Sequence, residues 1–422
     1  MNETLALCRF CSAPLEHTFV DLGVTPLCQT HITSDSLNSM EPFYPLHAMV
    51  CDSCLLVQLQ EYVAPSDIFA EYAYFSSFSD SWLEHARSYS RSVIERFRLD
   101  EESFVVEIAS NDGYLLRNFV EAEIPCLGIE PAANVAEAAK DVGVESISCF
   151  FGRDLAAEIV RERGKADLIV GNNVLAHVPA LNDFVAGMKY MLADDGVITM
   201  EFPHLLRLIQ DAQFDTIYHE HFSYFSLLAA SRVFREHGLD IFDVDELTTH
   251  GGSLRVYARH RGGDSTRAVG RAVIEVQAEE KAAGLGSMEG YTGFQERVNR
   301  IKRDLLAFLI DVKRQGKRIA AYGAPGKGNT LLNYCGIGKD LIEYTVDRNP
   351  YKQGKFTPGM RLPILEPSAI RETQPDYVLI LPWNLKTEII SGNAYIADWG
   401  GQFVVPIPNL ELIDPAACRQ AR

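Results

Sequence analysis

Short apolar runs alternate along the chain with longer segments whose apolar residues recur every third or fourth position. Short runs are typical of buried strands, and the longer period is typical of helices with one apolar face. The runs predict strands at 104–109, 127–130, 167–171 and 196–202. Between and after them, the longer period predicts helices at about 113–122, 135–142, 181–192 and 229–237. Two more strands, at 240–247 and 253–259, flank Thr249-His-Gly-Gly252, which is a hairpin signal. This alternation predicts a parallel sheet to which the hairpin adds one antiparallel edge strand.

Other helical and α/β patterns flank this sheet. An amphipathic pattern predicts a helix over 80–97, and a charged helical stretch at 268–315 leads into a second α/β unit. That unit has predicted strands at 318–322, 341–347, 377–381 and 402–407, with a glycine loop at 323–328 and a helix at 330–335. The fold class is therefore α/β, with a class I methyltransferase (Rossmann-like) topology in the first unit and a doubly wound second unit. We predict a small lobe at 1–68 and α/β domains at 69–262 and 263–422.

Composition narrows the possible partners. The chain has 422 residues and a net charge of −18, which disfavours binding to nucleic acid or to an anionic membrane surface. No stretch resembles a signal peptide or a membrane span. Nine cysteines, four of them in two matched pairs, suit a reducing compartment better than a disulfide framework. We therefore expect a cytoplasmic protein.

The two cysteine pairs are the most specific local pattern. Each Cys-x-x-Cys turn can present two thiolates to one metal, so Cys8, Cys11, Cys51 and Cys54 predict a structural Zn²⁺ site. The alternative is four unrelated buried thiols. Cys28 is the one rival ligand.

A second pattern follows the first predicted strand of the sheet. Glu107-Ile-Ala-Ser-Asn-Asp-Gly113 lies between a strand and a helix, where open α/β sheets bind their ligands. Small residues at alternate positions let a ligand approach the backbone, and Asn111 tolerates left-handed geometry. Glu130, at the end of the next strand, can accept hydrogen bonds from ribose hydroxyls. With no Gly-x-Gly-x-x-Gly, the pattern indicates S-adenosylmethionine rather than NAD; the alternative is an ordinary strand–helix turn. The predicted contacts are Glu107, Ala109, Ser110, Asn111, Asp112, Gly113, Glu130, Pro131, Asn172 and Asn173.

Candidate catalytic residues cluster at 214–222, after the strand at 196–202. His-Glu-His has the wrong spacing for a helical zinc-protease site. If the segment is extended, Tyr218 and Glu220 face one way, and His219 and His221 face the other. An imidazole is a suitable base for removing a proton at neutral pH, although a hydrogen-bonded structural role is the alternative. His177 also points toward this edge or simply begins a helix. Tyr72 and Tyr74 are either a lid over the pocket or core aromatics.

The glycine loop of the second unit, Gly323-Ala-Pro-Gly-Lys-Gly328, lacks the Lys-Ser/Thr of a Walker A motif. A glycine loop that enters a helix can still hold a phosphate with its backbone amides. The predicted substrate contacts at this crevice are Gly323, Ala324, Lys327, Asn329, Asp347 and Asn349. A tight packing turn is the alternative.

Together these motifs resemble the C-methyltransferases that act on nucleotide-linked 4-keto-6-deoxy sugars in deoxysugar and antibiotic biosynthesis. The resemblance covers nearly the whole chain. It rests on both cysteine pairs and on six further motifs: Tyr72-Ala-Tyr74, Val106–Gly113, Asn173-Val-Leu-Ala-His177, Tyr218-His-Glu-His221, His250-Gly-Gly252 and Tyr322-Gly-Ala-Pro-Gly-Lys327. It implies a zinc lobe, a methyltransferase domain and a Rossmann-like C-terminal domain, with a sugar nucleotide, commonly thymidine-linked, held between the last two. A monomer is expected.

The resemblance also implies roles for the candidate residues. His221 matches the general base that removes the C3′ proton to give an enolate, which then accepts the methyl group. Glu220, Tyr218, His177 and either Tyr72 or Tyr74 match residues that line the sugar pocket. His219 stands where some relatives have an acidic residue. The competing hypotheses are an O- or N-methyltransferase, a non-catalytic zinc and nucleotide-binding regulator, and an NAD(P)-dependent oxidoreductase.

Overall fold

The computed structural model of the protein describes residues 6–68, 75–262 and 267–416. The chain divides into two compact units. One unit contains Met1–His17, Val50–Leu206 and Glu220–Gly290, and the other contains Thr18–Met49, Arg207–His219 and Tyr291–Arg422. No helix within the described ranges has the length and apolar character that crossing a bilayer requires.

The first unit is built on a seven-stranded sheet. Its strands lie in the order Leu239–Leu247, Ser253–His260, Leu192–Pro203, Ala166–Asn172, Val105–Ile108, Cys126–Ile129 and Ser146–Ile147. All are parallel except Ser253–His260, which runs antiparallel to both of its neighbours. This is the class I methyltransferase order, and the predicted α/β fold class is confirmed.

One detail of the predicted sheet is wrong. The antiparallel strand Ser253–His260 is not at the edge, because Leu239–Leu247 lies outside it. The crossover helix Leu227–Glu236 carries the chain to the outer position, where Leu239–Leu247 runs parallel to the body of the sheet. The tight hairpin must then return on the inner side, since a short turn joins only adjacent antiparallel strands.

The helices of this unit pack on the sheet through apolar faces. The helix Asp80–Phe97 confirms the prediction over 80–97, and Ala86, Tyr89 and Val93 bury its apolar face in a core cluster that includes the sheet residue Val105. The hydroxyl of Ser79 caps it by accepting a hydrogen bond from the amide of Trp82 (3.3 Å). The other helices are Pro65–Ile68, Arg117–Glu121, Ala133–Ala139, Arg153–Arg163, Leu181–Met191, Leu227–Glu236 and Arg271–Ala282, and the helix Leu205–Gln210 ends in the other unit.

A short antiparallel pairing joins the cysteine-rich segment to the rest of the first unit. The strand Val57–Leu59 pairs antiparallel with Ser223–Tyr224. Neither strand was expected from the apolar pattern, because two or three residues carry no usable period.

The second unit contains a six-stranded sheet. Its order is Ile364–Leu365, Thr345–Val346, Ile319–Tyr322, Tyr377–Ile380, Gln402–Val405 and Glu411–Ile413, and only the last strand is antiparallel. The helices are Phe294–Arg314, Gly326–Cys335, Ala369–Thr373 and Lys386–Gly392, and the strands His17–Thr25 and Tyr44–Val50 fall largely in this unit. The predicted strand at 341–347 is shorter than expected. The helix predicted at 330–335 begins earlier, at Gly326, so the glycine loop is only its entrance.

Candidate active site

The four paired cysteines form one cluster in the first unit. Their Sγ atoms all lie within 4.8 Å of one another, and the Cys8–Cys54 and Cys11–Cys51 Sγ pairs are 3.5 Å apart. A tetrahedral zinc with Zn–S bonds of about 2.3 Å requires S–S distances of about 3.8 Å. The cluster therefore fits a Zn²⁺ ion closed by four thiolates. The rival ligand Cys28 lies in the second unit, outside this cluster.

The loop after the strand Val105–Ile108 has an unusual backbone. Ala109, Asn111 and Gly113 have φ values of 59°, 49° and 75°, so every second residue is left-handed. A Cβ on Gly113 would lie 2.9 Å from Cγ2 of Val142, which is too close for a side chain. The loop therefore depends on a true glycine at its last left-handed position, and Asn111 adopts the geometry that asparagine tolerates.

Acidic groups converge behind this loop. Glu107 is fully buried, and burial, followed by the charges of Asp112 and Glu130, raises its pKa well above the usual value. Burial also raises the pKa of Glu130. Among the described residues, Oγ of Ser110 and Oδ1 of Asp112 are buried without a hydrogen-bond partner. A site rich in acceptors suits a cationic ligand with hydroxyl and ammonium donors, and S-adenosylmethionine is such a molecule.

The residues just after Tyr72 and Tyr74 contact the same loop, although both tyrosines lie outside the described residues. The backbone amide of Ser76 donates to Oδ1 of Asn111 (2.9 Å), and that of Ser77 donates to Oδ2 of Asp112 (3.1 Å). Sequence reasoning missed these two serines as loop contacts. Pro131 follows Glu130 at a partly exposed position.

The next strand end brings Asn172 and Asn173 to this edge of the sheet. Asn172 donates to the hydroxyl of Tyr114 (3.4 Å), and Asn173, with a left-handed φ of 54°, donates to Nε2 of His250 (3.3 Å). His250 is also left-handed (φ 54°), and its ring lies 5.4 Å from that of Trp82. Trp82, Tyr114 and His250 are site residues that spacing alone did not single out, although His250-Gly-Gly252 is part of the resemblance.

Two imidazoles meet beyond these asparagines. The rings of His177 and His221 pack edge to face with centroids 4.7 Å apart. The amide of Phe222 donates to the carbonyl of Ala176 (2.7 Å), which fixes the two segments together. His221 and Glu220 are buried, whereas His177 keeps a partly exposed edge with its Nδ1 buried. Burial, then the nearby His250, lowers the pKa of His177 to about 4, so its ring is neutral at neutral pH.

The alternation of side chains that an extended segment 218–221 would give does not occur. A turn at His219 and Glu220 breaks the extended backbone that alternation requires. His219 belongs to the second unit, where its Nε2 donates to the carbonyl of Pro45 (3.1 Å) and its ring packs on Tyr44. Tyr218, partly exposed, also belongs to that unit, whereas Glu220 and His221 belong to the first.

The glycine loop of the second unit brings together four of its six predicted substrate residues. Asp347 accepts hydrogen bonds from the amides of Ala324 (2.7 Å) and Asn349 (2.8 Å). Gly323 has a φ of 90°, and a Cβ there would lie 2.5 Å from Cδ of Pro382. These contacts hold the backbone of the loop and of the neighbouring strand end together.

Lys327 and Asn329, on the helix that follows, are engaged elsewhere in that unit. The ammonium of Lys327 donates to Oδ1 of Asn384 (2.9 Å) and lies 4.7 Å from the centroid of the Trp383 ring. Trp383 in turn donates from Nε1 to the buried Asp215 (2.8 Å). The side chain of Asn329 donates to the carbonyl of Cys28 (2.6 Å).

Three family models match successive parts of the chain. A zinc binding domain model matches residues 8–69, a methyltransferase domain model matches 82–244, and a C-methyltransferase C-terminal domain model matches 248–408. The chain is also similar to the C-methyltransferase NovU of Streptomyces niveus, with 37% identity over 406 residues that cover 96% of each protein. The chain belongs to this family of C-methyltransferases.

The family assignment gives the chemistry its general class. The protein is an S-adenosylmethionine-dependent C-methyltransferase with a zinc-binding lobe, and the predicted fold and both predicted cofactors are confirmed.

Weaker similarities extend to solved methyltransferase structures. The DhpI–SAH complex shares 19% identity (TM-score 0.32; 44% of this chain, 91% of that one). The 1,6-didemethyltoxoflavin-N1-methyltransferase of Burkholderia thailandensis shares 15% (TM-score 0.34; 49% and 95%). These TM-scores are too low to support a conclusion about this chain.

Proposed function

We propose that this C-methyltransferase transfers a methyl group to C3′ of a nucleotide-linked 4-keto-6-deoxy sugar, with His221 as the general base. The observation that supports this most directly is the contact between the imidazoles of His221 and His177, whose ring centroids are 4.7 Å apart. His177 lies five residues after the strand end at Asn172. C-methylation next to a ketone requires a base that removes a proton from carbon, close to the bound methyl donor. His221 lies near the edge of the sheet where the cofactor is predicted to bind.

The chemistry follows from the ketone. The C4′ carbonyl acidifies the adjacent C3′–H, and the imidazole of His221 takes that proton to leave an enolate. His177, kept neutral by its lowered pKa, supplies a hydrogen-bond donor for the developing oxyanion, which is worth about 3 kcal/mol in typical sites. For Tyr218 we retain the role that the resemblance implies, as a residue that lines the sugar pocket. When bound, S-adenosylmethionine supplies an electrophilic methyl group to the nucleophilic carbon. Glu220 would hold the sugar hydroxyls.

The cofactors divide into a reactive one and a structural one. Glu107, Glu130 and the left-handed loop would bind S-adenosylmethionine through its ribose and amino groups. The four cysteines would close the coordination sphere of zinc, so no water is activated there.

The proposal also includes the finer expectations that the resemblance carries. These are a thymidine diphosphate carrier, binding of the nucleotide by the second unit through Gly323, Ala324, Lys327, Asn329, Asp347 and Asn349, and a place in deoxysugar biosynthesis. They also include a monomeric state and a division of the chain into domains at 68 and 262.

The test uses a thymidine-diphosphate-linked 4-keto-6-deoxyhexose deuterated at C3′. Wild-type protein should exchange the label with solvent and yield a C3′-methyl product, whereas His221→Asn should abolish both while still binding S-adenosylhomocysteine. His17→Asn, at an exposed histidine, is the matched control. Methylation at oxygen or nitrogen with the C3′ label retained would instead support the O- or N-methyltransferase hypothesis.

A further inference from the structure

The segment that follows His221 is paired to the zinc-binding part of the chain. In the antiparallel ladder, Val57 faces Tyr224 and Gln58 faces Ser223. The amide of Leu59 also donates to the carbonyl of Phe222 (3.0 Å). The residue next to the proposed base is therefore held by a main-chain hydrogen bond from a strand that begins three residues after Cys54.

Gln58 extends this connection to the metal ligands themselves. The residue is 1% exposed. Nε2 donates to Sγ of Cys8 (3.1 Å), and Oε1 accepts from the amide of Arg9 (2.9 Å). Hydrogen bonds of this kind to metal ligands orient the ligand, and they also orient the group that donates them. One buried amide therefore joins the Cys8–Cys11 turn to the strand beside the catalytic segment.

Arg9, from the same turn, adds a second contact. Its guanidinium lies 5.4 Å from the ring centroid of Phe222 and donates to the carbonyls of Leu59 and Pro179. A cation over an aromatic ring attracts that ring, and here the ring directly follows His221 in the chain.

On its other side, the same segment contacts the short 3-10 helix Leu175–His177, which follows the sheet strand Ala166–Asn172. The amide of Phe222 donates to Ala176, and the ring of His221 packs on His177. The base is thus held between the zinc-binding lobe and the 3-10 helix Leu175–His177, within a single compact unit.

We propose that Gln58 and Arg9 are positioning residues, through which the zinc-loaded lobe holds His221 in the geometry needed to remove the C3′ proton. The inference rests on the proposed function, in which His221 is the base. Four thiolates leave zinc no open coordination position, so the contribution of the lobe to the reaction is orientation. Misplacement of a reacting group by about 1 Å can cost about a hundredfold in rate.

The central experiment compares wild-type protein with Gln58→Met, which keeps the side-chain length but cannot donate to Cys8. The C3′ proton exchange of the thymidine-linked ketosugar is followed by NMR in D₂O with S-adenosylhomocysteine present. We expect the exchange rate to fall about tenfold or more, while the affinity for S-adenosylhomocysteine, measured by calorimetry, stays within about twofold of wild type. Gln315→Met, at an exposed glutamine whose side chain donates to Asp311 of the preceding helix, should change neither.

Two readouts are independent of turnover. Zinc transfer from Gln58→Met to a colorimetric chelator should be about tenfold faster than from wild type, because a hydrogen bond to a metal ligand is lost. Amide hydrogen exchange should also become faster in a peptide covering residues 221–226. A structural role confined to the zinc lobe would accelerate zinc transfer but leave the 221–226 peptide protected, and that result would overturn the inference.

A second variant keeps the test valid if Gln58→Met does not fold. Arg9→Lys retains the positive charge but loses the fork that bridges Leu59 and Pro179, and it should slow C3′ exchange in the same way. Comparison with His221→Asn separates the two proposals. If His221→Asn exchanges the proton normally, the proposed function fails. If His221→Asn is inactive while the Gln58 and Arg9 variants exchange at the wild-type rate, only the positioning inference fails.

Discussion

The backbone amide of Asn111 donates a hydrogen bond to Oε2 of Glu130 at 3.0 Å. The other carboxylate oxygen of Glu130 accepts from the amide of Ala132 (2.9 Å). One side chain at the end of a strand therefore braces both its own loop and the left-handed cofactor loop. Each carboxylate oxygen keeps a further lone pair for a ligand hydroxyl, so we expect the same group to serve both folding and cofactor binding.

Glu130→Gln should weaken binding of S-adenosylhomocysteine by about tenfold or more, because an amide offers one acceptor oxygen where the loops use two. Calorimetric titration measures the change. Glu137→Gln, at an exposed glutamate that pairs with Lys140 of the neighbouring turn, is the matched control. Equal affinities for the Glu130 variant and the control would contradict the assignment of Glu130 to the cofactor site.

Gly113→Ala should destabilise the protein more than Gly143→Ala does. Both glycines are left-handed (φ 75° and 77°), and alanine in this conformation costs about 1 kcal/mol. Only at Gly113 would the new Cβ also clash, at 2.9 Å from Val142, whereas at Gly143 the nearest atom is 3.5 Å away. Urea unfolding should show a difference of about 1–3 kcal/mol between the variants, and equal losses would contradict the close packing.

His177 should make stability depend on pH in the weakly acidic range. Burial depresses its folded-state pKa from 6.5 to about 4. Below pH 6.5 the unfolded chain therefore binds a proton at this residue that the folded chain does not bind. The free energy of unfolding should fall by about 2 kcal/mol between pH 7 and pH 5. In His177→Asn this contribution should vanish. Denaturant curves for both proteins at pH 5, 6 and 7 provide the measurement, and parallel pH profiles would contradict the prediction.

Removal of one zinc ligand should release the metal. Cys11→Ser leaves three thiolates, and we expect elemental analysis to show far less than one zinc per chain together with a lower melting temperature, because metal binding contributes directly to the folding free energy of such lobes. Cys149→Ser, at an exposed cysteine outside the cluster, should retain full zinc. Loss of zinc in both variants, or in neither, would contradict the four-cysteine site.

Local chemistry made much of this site predictable. The cysteine pairs, the Glu107–Gly113 pattern and Glu130 each depend on residue types whose chemistry is readable from spacing, and the structure brings each group together. The amphipathic helix Asp80–Phe97 was equally predictable, since its helical pattern of apolar residues extends over 18 residues.

Other features depend on contacts between residues far apart in sequence. Nothing near Gln58 marks it as a partner of both Cys8 and the strand Ser223–Tyr224, which lies more than 160 residues later. Lys327 resembles a phosphate ligand in sequence, but its neighbours Asn384 and Trp383 come from a different strand end. At the turn, the ring of His219 packs against Tyr44. A prediction from the alternation of side chains along one strand takes no account of such a distant residue.

The strand Ser253–His260 lies inside the seven-stranded sheet, although the family model that covers it begins at 248 and describes the C-terminal domain. A chimera that exchanged halves with a relative at residue 245 would graft a foreign interior strand between two native neighbours. It would also replace the helix Arg271–Ala282, whose Glu280 caps the start of Leu227–Glu236 through the amides of Leu227 and Leu228. Recombination after Gly290 would instead transfer the second sheet without dividing the first.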